Sequence, residues 1–219
     1  MSEKLWADVD SYLEDVLIGD DPALDTTRRA SRAAGLPDIA VSATQGKLLQ
    51  LMARMVGAKR ILEVGTLGGY SAIWLARALP ADGELITLEY DPKHADVARS
   101  NIKNAGLADR VEVITGAAID TLPTLGGMFD FSFIDADKKS NPEYFQWALK
   151  LSRQGSVIVV DNVVREGRVI EGGTNDANIE GIRRLNTMIA GEPRVSATAL
   201  QTVGVKGYDG LAIALVIAD

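Results

Sequence analysis

The sequence predicts a doubly wound α/β domain with a seven-stranded, mostly parallel sheet, an antiparallel final strand and an N-terminal helical cap. From Lys59 onward, strand-like and helix-like segments alternate, which implies right-handed crossovers and helices on both faces of a parallel sheet. The last two strand candidates are instead joined by a short, hairpin-like connection. A chain of 219 residues can form one sizeable core, so we expect a single domain with its cap over residues 1–58 and its sheet over residues 59–219.

Each element of this expectation has its own pattern. The cap contains "LWADVDSYLEDVL", whose apolar residues recur at helical spacing. Further helices are expected at about residues 70–79, 92–105, near 117 and at 141–151, each after a strand candidate. The seven strand candidates, in chain order, are "RILEV", "ELITLE", "RVEVIT", "FDFSFID", "SVIVVD", "RVSATALQ" and "GLAIALVIA".

The composition excludes several classes of protein. The chain has no cysteine, so disulfides and thiolate zinc sites are excluded. The net charge is −7 and no basic stripe is visible, so nucleic acid is not an expected partner. The longest apolar run, residues 211–218, is too short to span a bilayer, and "MSEKLWADVD" is no signal peptide. We therefore expect a cytoplasmic protein without a membrane partner.

A glycine-rich turn follows the first strand in "LEVGTLGGYS". Gly65, Gly68 and Gly69 allow a tight turn and a close approach of the backbone to a ligand, next to the N-terminus of the following helix. Glu63 places a carboxylate just before the turn, which suits a ligand with an ammonium group better than a pyrophosphate. An ordinary strand-to-helix corner would also explain these glycines.

The second and third strands end in further candidate ligand contacts. Glu89 lies 24 residues after Gly65, near the position where nucleotide-binding α/β folds place an acid for ribose hydroxyls. Backbone amides of Ala117 and Ala118 could bind an adenine edge. A solvated acid at a strand end, and alanines that merely pack, remain alternatives. Together the features favour an adenosine-containing ligand without a phosphate chain, and S-adenosylmethionine fits that description.

The segment "VIVVDNVV" places two oxygen-bearing side chains, Asp161 and Asn162, at the end of a buried strand. Both residue types also start turns, so a simple turn is one interpretation. Asp135 ends the preceding strand, 26 residues earlier, and neighbouring strands lie only ~5 Å apart. Three hard oxygen ligands would then converge, which points to Mg²⁺, with Mn²⁺ or Ca²⁺ as alternatives. His94, the sole histidine, is expected to be solvated and not to be a ligand.

Four segments together, "ILEVGTLGGYS", "LEYDP", "FIDADK" and "VVDNV", resemble the cation-dependent O-methyltransferases of the catechol and caffeoyl-CoA group, which have a Rossmann-like fold. "VSATQGKLL" and "YDGLAIAL" are similar to the family's segments before the first strand and at the last one. The resemblance implies a homodimer, a small phenolic acceptor and a catalytic lysine at Lys138. It also implies metal ligation by Asp135, Asp161 and Asn162. The full set of predicted cofactor-binding residues is Val41, Glu63, Gly65, Thr66, Gly69, Ser71, Glu89, Ala117, Ala118 and Asp135.

The chain departs from the family's catechol enzymes at two points. Catechol O-methyltransferase has a tryptophan at the position of Asp137, whereas the caffeoyl-CoA enzymes have the same aspartate as this chain. The glutamate with which the catechol enzyme holds the second catechol hydroxyl has no evident counterpart before "YDGL". The acceptor is expected to be a catechol-like or caffeoyl-like vicinal diol, and these two departures favour the caffeoyl-CoA-like branch over a simple catechol preference. The Gly-rich segment 165–178 either borders the acceptor pocket or is an ordinary surface loop.

The role of Lys138 has more than one interpretation. Lys138, and not Lys139, is expected to take the phenolic proton, because it lies one helical turn past Asp135. It could instead be a fixed cation beside the phenolate, or a surface lysine.

Three other functions remain open: a nicotinamide oxidoreductase, a noncatalytic S-adenosylmethionine-binding protein, and a methyltransferase of a different acceptor. The first predicts phosphate-binding glycines, which "GTLGGY" lacks. The second has no need for Lys138 or the metal ligands.

Overall fold

A computed structural model describes residues 3–218, and its seven strands form a single sheet. The strands are β1 (Arg60–Val64), β2 (Glu84–Glu89), β3 (Val111–Thr115), β4 (Phe129–Ile134), β5 (Ser152–Asp161), β6 (Val195–Gly204) and β7 (Gly207–Val216). Their order is β3-β2-β1-β4-β5-β7-β6. The first five strands are parallel, and β7 is antiparallel to both of its neighbours, β5 and β6. The predicted fold class is confirmed.

The centre of the sheet is apolar on both faces because helices cover both faces. Strand β4 is buried along its whole length, whereas β6, at the edge, is mostly exposed. Strand β5 begins at Ser152, four residues before the predicted "SVIVVD" strand at Ser156. Its pairing with β4 shifts register between Phe129 and Phe131, which accommodates the additional residues.

Eight α-helices surround the sheet within residues 3–218, and three short 3₁₀ turns connect elements at 122–124, 138–140 and 168–170. No helix in this part of the chain is long and apolar enough to cross a bilayer. The helices are α1 (Glu3–Leu17), α2 (Pro22–Ala33), α3 (Ala43–Met55), α4 (Tyr70–Ala76), α5 (Pro92–Asn104), α6 (Ala118–Thr121), α7 (Asn141–Lys150) and α8 (Ala177–Gly191).

The three N-terminal helices form the predicted cap, and α3 fits closely against α4. The side chain of Ser42 caps α3 by accepting a hydrogen bond from the backbone N–H of Gln45 at 3.1 Å. A Cβ atom on Gly46 would lie 2.3 Å from Cδ1 of Trp74, so only glycine allows this approach. The first turn of α3 is thereby fixed at the carboxyl edge of the sheet.

The hairpin between β6 and β7 reaches back to the cap. Asp10 Oδ2 on α1 accepts a hydrogen bond from the backbone N–H of Val205 at 2.8 Å. The Lys206 ammonium donates a hydrogen bond to the carbonyl oxygen of Asp38 at 2.9 Å. These contacts hold the tip of the hairpin above the carboxyl ends of the central strands.

Candidate active site

A large cleft lies at the carboxyl ends of the central strands, where doubly wound sheets bind their ligands. Its volume is about 1430 Å³, larger than a pocket for one small molecule, so it has room for two molecules side by side. The walls come from the turn after β1, the ends of β2, β4 and β5, the start of α3, and the β6–β7 hairpin.

Most of the predicted site residues line this one cleft. They are Val41, Gly65, Thr66, Ser71, Glu89, Ala117, Ala118, Asp135, Lys138, Asp161 and Asn162. Two predicted cofactor residues do not line it. Gly69 packs against α5, where an added Cβ would lie 3.4 Å from Ala98, and Glu63 is fully buried.

The glycine turn contacts two neighbouring strands. Gly65 has a φ of 101°, and an added Cβ would lie 2.1 Å from the carbonyl oxygen of Asp135, so both the conformation and the space require glycine here. On the other side, Glu89 Oε2 accepts hydrogen bonds from the backbone N–H groups of Leu67 at 2.7 Å and Thr66 at 3.2 Å. The turn is therefore held between the ends of β2 and β4.

Glu63 is a buried carboxyl group beneath the glycine turn. Thr87 Oγ1 donates a hydrogen bond to Glu63 Oε2 at 2.5 Å, while Oε1 has no hydrogen-bond partner in the described part of the chain. The pKa of Glu63 is raised to about 7, mainly by burial; the hydroxyl groups of Ser71 and Thr87 oppose this rise, and the charges of Asp135 and Glu89 contribute to it. A buried carboxylate of this kind favours a cationic ligand.

His94 is less exposed than the sequence suggested. Its side chain lines the cleft at 22 % exposure, and Nδ1 lies 3.6 Å from Glu89 Oε1. The side chain is therefore only partly solvated, because the first turn of α5 lies beside the end of β2. The other part of the prediction, that His94 is not a metal ligand, stays a prediction.

The two carboxylates predicted to bind a metal lie at the ends of the neighbouring strands β4 and β5. Asp161 is 6 % exposed, and Gln45 Nε2 donates a hydrogen bond to its Oδ2 at 2.6 Å. Burial, followed by the charge of Asp135, raises the pKa of Asp161 to about 7. The buried Lys138 donates a hydrogen bond to Asp135 Oδ1 at 2.6 Å. The one positive charge of Lys138 thus balances only part of the negative charge that Asp135 and Asp161 carry when both are ionised.

The donor set fits a divalent cation with open coordination positions. Asn162 has a φ of 58°, a conformation that asparagine tolerates better than most residues, and its side-chain amide makes no hydrogen bond within residues 3–218. No group of three His, Cys, Asp or Glu side chains suited to a metal ion occurs in the described chain. A metal here would be bound by Asp135, Asp161 and the Asn162 amide oxygen, a ligand set typical of Mg²⁺ and not of zinc.

Several residues of the cleft were not predicted from the sequence. Gln45 lies within the quoted segment "VSATQGKLL", but no local pattern connects it with Asp161, 116 positions away. The β6–β7 hairpin forms one wall of the cleft, whereas the sequence predicted only a short connection between two strands at this position. Of the segment 165–178, only Arg165 and Glu166 reach the cleft, and the rest of that segment does not line it.

The strand order, the antiparallel last strand and the cleft at the carboxyl edge together define a Rossmann-like methyltransferase. A model of the O-methyltransferase family matches residues 15–217, and the chain belongs to this family. It is accordingly an enzyme that methylates an oxygen atom.

Named relatives are similar over almost the whole chain. A catechol O-methyltransferase of Mycobacterium tuberculosis is 57% identical over 210 residues, which cover 95% of each chain. A catechol O-methyltransferase of Niastella koreensis is 53% identical over 220 residues, 99% of this chain and 100% of that one. The crystal structure of an O-methyltransferase from Bacillus cereus in complex with SAH superimposes with a TM-score of 0.97, at 57% identity and over 98% of this chain and 100% of that one.

Proposed function

We propose that the protein transfers a methyl group from S-adenosylmethionine to one hydroxyl of a vicinal-diol phenol and that it requires a divalent cation, most suitably Mg²⁺. The observation that carries this proposal is the grouping of Asp135, Asp161 and Asn162 with the buried Lys138 in the same cleft as the glycine turn. The catechol O-methyltransferase names of two relatives and the SAH bound in the Bacillus cereus structure support it.

The cofactor half of the cleft has groups that complement S-adenosylmethionine. Glu89, on the cleft wall, provides an acceptor for the ribose hydroxyls. Glu63 does not line the cleft, but its carboxyl group lies buried beneath the glycine turn and favours an ammonium group above it. Ala117 and Ala118 line the cleft at the start of α6, where their backbone amides can bind the adenine edge. The same acids disfavour the pyrophosphate of a nicotinamide cofactor, because two buried carboxylates would repel it.

Replacing Glu89 with alanine is expected to weaken S-adenosylmethionine binding by ~1–3 kcal/mol, because buried hydroxyls lose their acceptor. The substitution also frees the backbone N–H groups of Thr66 and Leu67. Isothermal titration calorimetry measures the change, with Glu112→Ala, an exposed acid on the neighbouring strand β3, as the matched control. Unchanged affinity in Glu89→Ala would remove Glu89 from the cofactor site.

Binding of S-adenosylmethionine is expected to release a proton near pH 6.5. In the free protein the pKa of Glu63 is about 7, so at this pH its carboxyl is largely protonated. An ammonium group nearby favours the carboxylate and lowers that pKa, so affinity should rise as the pH increases from 6 to 8. Calorimetry at pH 6.5 in buffers with different ionisation enthalpies counts the released protons. Glu63→Gln should abolish the release, and an equal release in that variant would contradict the assignment.

The acceptor half of the cleft combines cation ligands with a lysine. A bound divalent cation lowers the pKa of a phenolic hydroxyl, which is ~10 in water. Asp135 and Asp161 supply the charge that holds the cation, and Gln45 orients Asp161. Lys138 is hydrogen-bonded to Asp135, and its side-chain nitrogen can either take the phenolic proton or stabilise the phenolate as a fixed cation. Alignment of the two reactants in one cleft supplies much of the rate.

Methyl transfer from labelled S-adenosylmethionine to a panel of phenols tests the proposal. We expect turnover with catechol, caffeate and caffeoyl-CoA, and little turnover with the matched monophenols phenol and 4-coumarate. The reason is that two adjacent oxygens can occupy two open cation positions at once. Equal rates for diols and monophenols would leave a methyltransferase of a different acceptor, and no transfer to any phenol would favour a noncatalytic binding protein.

The homodimer implied by the family resemblance stays a prediction, which light scattering tests.

A further inference from the structure

The turn that follows β5 has an unusual backbone. Asn162, Arg165 and Glu166 have φ values of 58°, 52° and 57°. Asparagine tolerates this left-handed conformation, but arginine and glutamate adopt it only at an energetic cost, because their Cβ atoms come too close to the following carbonyl oxygen. Three such residues within five positions persist only if surrounding groups hold the turn in place.

One carboxylate on β7 makes the contacts that hold the turn. Asp209 Oδ1 accepts hydrogen bonds from the backbone N–H groups of Val164 at 3.0 Å and Arg165 at 2.8 Å. It also accepts the N–H of Gly210, the next residue in β7, at 2.9 Å. The Asp209 side chain is only 20% exposed, so these bonds are largely shielded from water.

Backbone hydrogen bonds on both sides place Asp209 opposite the turn. The N–H of Val163 donates to the carbonyl oxygen of Gly210 at 3.0 Å, and the N–H of Glu166 donates to that of Tyr208 at 3.2 Å. Between these two hydrogen bonds the chain bulges away from β7. The N–H groups of Val164 and Arg165 lie in this bulge and donate to the Asp209 side chain instead of to a backbone carbonyl of β7. Beyond the end of the β5–β7 pairing, this carboxylate therefore accepts the hydrogen bonds that backbone carbonyl groups of β7 would otherwise accept.

The position of Asn162 depends on this turn. A cation in the cleft has two carboxylates available, Asp135 and Asp161, and no third acid, histidine or cysteine suited to the metal occurs among residues 3–218. The third protein ligand is then Asn162, whose left-handed backbone sets the direction in which its Cα–Cβ bond leaves the chain. A turn that relaxes would move the amide oxygen and leave the cation with two protein ligands.

We infer that Asp209 is a positioning residue for the cation site, acting through the backbone of residues 162–166. The inference rests on the proposed function, because it requires that Asn162 binds the cation. Asp209 also lines the cleft, and its Oδ2 lies 3.9 Å from Arg165 Nη1, but its Oδ1 is bonded to three backbone amides, and through them it holds the turn.

Mn²⁺ alone, titrated into the purified protein and followed by electron paramagnetic resonance, tests this role. Asp209→Ala should weaken Mn²⁺ binding by about 10- to 100-fold, the usual effect of losing a group that orients a metal ligand. Asp209→Asn keeps an acceptor oxygen and should lose less than Asp209→Ala. Glu192→Ala is the matched control, since it removes a carboxylate with 19% exposure that accepts the backbone N–H of Arg194 just before β6, outside the cleft, and it should bind Mn²⁺ like the parent.

Amide hydrogen exchange of the metal-free protein provides a second readout. Residues 162–166 should exchange faster in Asp209→Ala than in the parent, with no such change in Glu192→Ala. Unchanged Mn²⁺ affinity in Asp209→Ala, or equal losses in Asp209→Ala and Asp209→Asn, would overturn the inference alone. A parent protein that does not bind Mn²⁺ would overturn the proposed cation site and this inference with it.

Discussion

Replacing Lys138 with alanine is expected to lower the turnover number by ~10²–10⁴-fold under saturating metal and cofactor, the usual effect of losing a general base. Lys138 is 8% exposed, lines the cleft and donates a hydrogen bond to Asp135 Oδ1 at 2.6 Å. Its amine is therefore fixed beside the proposed cation site. Steady-state kinetics with a catechol acceptor measures the change.

Lys139→Ala is the matched control for this prediction. The Lys139 side chain is exposed, and the neighbouring α8 helix contacts its backbone, through a hydrogen bond from Arg184 to its carbonyl oxygen at 2.8 Å. The alanine variant keeps that bond and should turn over like the parent. Lys138→Arg separates the two possible roles, because arginine retains the positive charge but does not accept a proton at neutral pH. Parent-like turnover in Lys138→Arg would indicate a fixed cation, and parent-like turnover in Lys138→Ala would exclude both roles.

Removal of divalent cations with EDTA is expected to abolish methyl transfer, and added Mg²⁺ or Mn²⁺ is expected to restore it. Without a cation, a phenol with a pKa of ~10 stays protonated at neutral pH, and nothing holds the second hydroxyl. Binding of S-adenosylmethionine should persist in EDTA, since the groups assigned to it lie mainly on β1, β2 and the glycine turn. Turnover and calorimetric titration of the same EDTA-treated sample measure the two effects.

Asp161→Ala should reproduce the effect of EDTA in the presence of excess Mg²⁺. Asp130→Ala would be an unsuitable control, because Asp130 accepts hydrogen bonds from the backbone of β1. Glu112→Ala, at an exposed position of β3, is a suitable one. Full methyl transfer in metal-free buffer would remove the cation from the mechanism. Asp161 and Asn162 would then be an ordinary turn at the end of β5.

The order and type of the elements in the sheet could be predicted from the sequence because they depend on local patterns. Apolar runs of strand length alternate with segments of helical spacing, and this alternation permits few topologies. Element ends were less accurate: α4 ends at Ala76, three residues before the predicted Leu79. The position of β7 between β5 and β6 places two distant segments side by side, and the short connection "TVGVKGYD" indicated only that β6 and β7 are neighbours.

The sequence by itself determined which side chains lie at the carboxyl edge, since every parallel strand ends there and Glu89, Asp135 and Asp161 stand at or just past the strand ends. Only the tertiary structure decided that Lys138 is buried while Lys139 is exposed, that Gln45 bonds Asp161, and that Asp209 holds the turn after β5. The physical reason is range. Strand ends follow from the hydrophobic period of a few adjacent residues, whereas these contacts depend on how the cap, α8 and the β6–β7 hairpin pack against the sheet.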